Sequence, residues 1–175
     1  RFLETGGSIS QNFSPNIFSH NKMAFLPDGK FIATDDFMEK IIVSDIKGKL
    51  IRAFKAHNKF LTAINVSPDG RTILTSSYDS TARLWDLSGI LLAEFRGHSD
   101  ILNDAIFSPD GKFILTGARD GSFKLWNRHG ILIQDFKGDF YGANCMDFAP
   151  GGAAIISGCD RTLRWWTINN TPLQE

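Results

Sequence analysis

Residues 98–138 read HSDILNDAIFSPDGKFILTGARDGSFKLWNRHGILIQDFKG. Turn signals cut this stretch into four short apolar runs. Ile101–Phe107 ends at Ser108-Pro109-Asp110-Gly111, where proline presets one dihedral and glycine frees another so that the chain reverses. Phe113–Gly117 ends at Arg119-Asp120-Gly121, Phe123–Trp126 ends around His129-Gly130, and Ile131–Phe136 closes the unit. Each run has about 4–7 residues rich in Ile, Leu and Phe, a length that suits strands, since helices need roughly 10 or more. Four strands on tight turns make an antiparallel meander.

The unit recurs every 41 residues. Its proline turn appears as LPDG at 26–29, SPDG at 67–70, SPDG at 108–111 and APGG at 149–152. Gly7, Gly48, Gly89 and Gly130 keep the same step, as do Phe13, Phe54, Phe95 and Phe136. The last copy is one residue short between Gly158 and Asp160. A period of this size is the mark of a stacked or radial array of small sheets. The chain therefore reads as all-β, an arc of four-stranded antiparallel blades with a 41-residue repeat.

Further residues keep the register. Gly97-His98, Thr116, Asp120 and Trp126-Asn127 in one copy answer to Ala56-His57, Thr75, Asp79 and Trp85-Asp86 in the copy before. In both, His to Asp spans 22 residues and Asp to Trp spans six. On these residues the chain resembles the WD-repeat propeller family over essentially its whole length. The resemblance implies a buried hydrogen-bond chain in each blade: Asp79 with His57, His57 with Thr75, Thr75 with Trp85, and likewise Asp120, His98, Thr116 and Trp126. The residue types suit those roles, because indole only donates, hydroxyl does both and carboxylate only accepts. The outer copies depart from the pattern. The last has Asp139 in place of His but keeps Ser157, Asp160 and Trp166; the first has Asn16, Thr34, Met38 and Ser44 and keeps only the hydroxyl.

Register also suggests a division of the chain. Residues 1–15 are expected to form the second half of one blade, with four further units at 16–56, 57–97, 98–138 and 139–175. The expectation is a segment of a larger propeller of about seven blades, whose missing blades come from the same chain or from another.

Composition bounds the function. Lys+Arg and Asp+Glu are both 19, so net charge is zero and no electrostatic case for nucleic acid arises. No apolar run approaches about 18 residues, the length of a membrane span. Two cysteines, Cys145 and Cys159, make no disulfide framework, so a cytoplasmic protein is expected, with both as small core residues. No catalytic residue, cofactor site or metal site is expected. The sequence holds no GxSxG, GxxxxGK[ST] or HExxH, the histidines sit one blade apart, and the acidic pairs lack the spacing of a calcium loop. Trp165-Trp166 could stack bases, but alternation makes one the network indole and packs the other on the opposite face.

What is left for function is surface. The resemblance implies partner contact on the face carrying the turn before each network Asp and the start of each first strand. Those positions are Phe37, Phe60, Tyr78, Ile101, Asn103, Arg119 and Tyr141, with Cys159, Thr62 and Asn144 beside them. Tyr and Arg are enriched at binding hot spots. The expected function is a non-enzymatic platform that binds a protein or peptide. Two alternatives are a purely structural assembly element and a sensor or autoinhibitory propeller beside a nucleotide-hydrolysing module, since repeats such as LWDLSGILLAEFRGH are similar to regular bacterial arrays. An enzyme site in the central channel ranks last, because Asn21, Thr62, Asn103 and Asn144 are poor acid–base groups.

Overall fold

The computed structural model describes residues 2–3, 9–11, 22–26, 31–34, 39–45, 47–137, 145–159 and 162–168. Seventeen strands lie among them, and no helix. A two-stranded pair, β1 (Phe2–Leu3) and β2 (Ile9–Gln11), precedes four larger sheets. The first holds β3 (Met23–Phe25), β4 (Phe31–Thr34), β5 (Lys40–Ser44) and β6 (Leu50–Lys55). The second holds β7 (Leu61–Val66), β8 (Thr72–Ser77), β9 (Thr81–Asp86) and β10 (Leu91–Arg96). The third holds β11 (Leu102–Phe107), β12 (Phe113–Ala118), β13 (Ser122–Asn127) and β14 (Leu132–Lys137). The fourth holds β15 (Cys145–Phe148), β16 (Ala154–Cys159) and β17 (Thr162–Thr167). Every pairing is antiparallel between chain neighbours, so the meander and the all-β reading both hold.

The turns follow from their residues. At Ser108–Gly111 the Ser108 carbonyl accepts from the Gly111 amide at 2.8 Å, and Gly111 takes a φ of 71°. The Ser108 hydroxyl binds Asp110 at 2.7 Å and accepts from the Phe113 amide at 2.9 Å, which starts β12. Between the third and fourth strands an Asp or Asn does the turning. Asp86 Oδ1 accepts from the amides of Ser88 and Ile90, and Asn127 Oδ1 from those of His129 and Ile131.

Adjacent sheets pack face to face, and the cores lie between them. Leu74, Leu84 and Phe95 of the second sheet meet Ala105, Ile114 and Trp126 of the third. Ile41 and Val43 of the first meet Ile64, Ile73 and Trp85 of the second. Leu115, Leu125 and Phe136 meet Phe148 and Ile155. The phenylalanine series is explained here for Phe54, Phe95 and Phe136, each of which sits against the Trp of the next sheet; Phe13 lies outside the described residues. Ring centroids are 5.4 Å apart for Phe54–Trp85, 5.9 Å for Phe95–Trp126 and 5.5 Å for Phe136–Trp166, within the 4.5–7 Å range of favourable aromatic pairs. Arg128 adds a polar staple between sheets, donating to Thr72 Oγ1 at 2.7 Å and to the Gly111 carbonyl at 3.3 Å.

Two expectations need correction. Trp165 is 65% exposed rather than packed, and Leu163 beside it is 75% exposed. The register equivalents of Trp165, Leu84 and Leu125, and those of Leu163, Ala82 and Phe123, are buried where another sheet lies over them, and among the described residues none covers β17. Cys145 is exposed rather than in the core. It starts β15, and its sulfur rests beside Gly158, 3.8 Å from that carbonyl, instead of between sheets. The Cys159 side chain lies outside the described residues.

Candidate functional site

In the second sheet His57 Nδ1 lies 2.9 Å from Asp79 Oδ2, and His57 Nε2 lies 2.8 Å from Thr75 Oγ1. Trp85 Nε1 donates to the same hydroxyl at 3.0 Å. In the third, His98 reaches Asp120 at 3.0 Å and Thr116 at 2.8 Å, and Trp126 donates to Thr116 at 2.9 Å. In the fourth, Trp166 donates to Ser157 Oγ at 2.7 Å, while Asp160 lies outside the described residues. His57, Thr75, His98 and Thr116 are buried, as every link of such a chain must be to hold one packing.

Burial pushes the His57 and His98 imidazoles below their usual range, against the pull of the carboxylate each faces. Burial alone would raise the Asp79 and Asp120 carboxyls. Hydrogen bonds overcome it, from His57 and Thr81 to Asp79 and from Ser122 and Ser99 to Asp120, and hold both below the carboxylate range. At neutral pH the imidazole is therefore neutral, donates from Nδ1 to the carboxylate and accepts the hydroxyl proton at Nε2. Both imidazole nitrogens of His57 and of His98 are thus engaged within the chain.

Sequence reasoning overlooked one member of each chain. Thr81 Oγ1 donates to Asp79 at 2.6 Å and Ser122 Oγ to Asp120 at 2.7 Å. The signal was present, because Thr81 and Ser122 are one period apart. Two cross-strand ion pairs also keep register: Arg83–Glu94 at 2.7 Å and Lys124–Asp135 at 2.5 Å.

The network holds the turns that carry the surface residues. Tyr78 precedes Asp79, and its amide donates to the Phe60 carbonyl at 2.9 Å; Arg119 precedes Asp120 and bonds to Ile101 in the same way. The Phe60 ring meets the Tyr78 ring edge-on at 5.9 Å, and the Arg119 guanidinium reaches across from the third sheet to lie 5.8 Å over Tyr78. Phe60, Leu61, Thr62, Tyr78, Asn103, Arg119 and Lys22 line one recess of about 230 Å³. Ile101 does not line it, and Phe37 and Tyr141 lie outside the described residues. Lys22 was not singled out in the sequence; it lies in the poorly patterned first copy. Among the described residues no group of three or more His, Cys, Asp or Glu is placed to hold a metal.

A family model described as WD domain, G-beta repeat matches residues 48–86, 89–127 and 130–167, well over half of the chain. The chain belongs to the WD-repeat family. Each matched repeat starts at a glycine of the Gly48 series, so it takes in the outer strand of one sheet and the first three of the next. WD repeats generally mediate protein–protein interaction or scaffolding and are typically not enzymes. Among curated proteins the chain finds no match.

Proposed function

We propose that this WD-repeat chain is a non-enzymatic scaffold or sensor platform, part of a larger cytoplasmic propeller, which recognises a protein or peptide through the recess face. The supporting observation is convergence: Phe60, Tyr78, Asn103 and Arg119, from four separate segments, surround one recess. Each sits on a turn or strand end that the buried network fixes, so the surface is preorganised and little ordering entropy opposes binding. Phe60 is 47% exposed, and its contact within the recess is the edge of Tyr78. Tyr78→Ala, Arg119→Ala and Asn103→Ala combined should abolish capture of the proteins that the parent retains, at an unchanged urea midpoint. Capture that survives the triple substitution would mean that this face is the wrong one. A second reading, a purely structural element that completes an assembly, is favoured by exposed Leu163 and Trp165. It expects the same triple variant to assemble normally and Trp165→Ser to fail.

A further inference from the structure

Among the described residues the charges lining the recess are one-sided: two cations, Lys22 and Arg119, two aromatic rings, Phe60 and Tyr78, and the polar groups of Thr62 and Asn103, with no carboxylate. Several other cations of these sheets are paired. Arg83 and Arg96 share Glu94, Lys124 holds Asp135, and Arg128 holds Thr72, the Gly111 carbonyl and, at 3.9 Å, Asp69. Arg119 differs. Among the described residues no carboxylate lies within ion-pair distance of its guanidinium, which rests on the Tyr78 ring instead. Asp79 and Asp120 stand behind the recess wall, but each is turned inward on its histidine, with side chains only 14% and 12% exposed. Asp104 interacts electrostatically with Lys22 but is not part of the lining.

We infer that the recess selects a peptide side chain bearing an anion, a carboxylate or a phosphate, flanked by an apolar residue; this rests on the reading of the recess face as the recognition surface. At 5.8 Å from the Tyr78 ring centroid Arg119 lies within cation–π range, and with no carboxylate on it among the described residues its guanidinium can meet a bidentate acceptor. Carboxylate and phosphate both match the guanidinium fork and take charge-assisted bonds from it. Lys22, which also interacts with Asp104, supplies a second positive charge in the lining. The volume favours a side chain over a free small molecule, since drug-sized ligands fill about 300–1,000 Å³.

The test uses the protein with four peptide libraries whose flanks are randomised and whose central residue is fixed as Glu, phosphoserine, Gln or Lys. Fluorescence polarisation should show the Glu or phosphoserine library binding about ten-fold or more tighter than the Gln library. Whichever of the two anionic libraries leads identifies the source of the anion. Arg119→Gln should reduce the preference below about two-fold, while Lys112→Gln, at an exposed turn away from the recess, should leave it intact. Equal binding of the Gln library, or a lead for the Lys library, overturns anion selection. If Tyr78→Ala then still abolishes binding, the face itself stands. Binding by no library, or binding indifferent to both Tyr78→Ala and Arg119→Gln, overturns the inference and the face together.

Discussion

Trp126 can only donate, Asp120 can only accept, and His98 and Thr116 between them do both. Removing the acceptor end of such a chain leaves a buried donor unanswered. Asp120→Ala strips His98 Nδ1, Ser122 Oγ and the Ser99 amide of one acceptor. The expected cost is about 1.5–3 kcal/mol, the range for hydrogen bonds to charged groups, seen as a lower urea midpoint with an unchanged slope. The same residues set a pH dependence. His57 and His98 titrate lower in the folded state than in the unfolded chain, so their contribution is complete above about pH 6.5 and is lost as pH falls below it. Asp79 and Asp120 are also depressed, so theirs is complete above about pH 3.9 and is lost as pH falls further. The urea midpoint should drop between about pH 7 and pH 5 and again below about pH 4. A midpoint that holds or rises on acidification from pH 7 to 5 would show that the histidines are not buried neutral.

Between strands, glycine is required where two segments touch. Gly130 has a φ of 85°, and a Cβ there would sit 2.9 Å from the Glu94 carbonyl oxygen, a backbone atom of the neighbouring sheet. Gly111 has a similar φ of 71°, but a Cβ there would meet nothing nearer than the Pro68 ring at 3.4 Å. Both alanine substitutions carry the left-handed backbone penalty of roughly 1–2 kcal/mol. Only Gly130→Ala adds a clash that moves a sheet, so its thermal midpoint should fall further than that of Gly111→Ala. Equal midpoints would mean that the two sheets can part there without cost. At this scale the sequence was most legible. Strand lengths, turn residues and the His–Asp–Trp spacing are local, and the repeat states them several times. Trp165 and Cys145 were misread because alternation tells which side a residue faces, not whether another sheet covers that side. Lys22 and the approach of Arg119 to Tyr78 were illegible for a related reason: both depend on how neighbouring sheets are juxtaposed, which no single period encodes.

Across the molecule, stability should follow the networks. Ser44 occupies the position of Trp85 and Trp126, so the first sheet has no indole to close a chain. β8 is buried along its whole length between two sheets. In native-state hydrogen exchange the amides of β8 and β12 should be the slowest and those of β4 and β5 faster, because local opening tracks the loss of buried contacts. Uniform protection over the four sheets would show that the networks do not set local stability.

The phase offset between repeat and sheet has a genetic consequence. Excising residues 89–129 would join Ser88 to Gly130, and Gly130 would inherit the role of Gly89. β14 would become the outer strand of the second sheet, and Phe136 would still face Trp166. Any cut of one full period that ends before Cys159 heals in this way, because the excised strands and their replacements share one register. The number of blades can thus change by unequal crossing-over at many points in the array, without passing through a broken sheet.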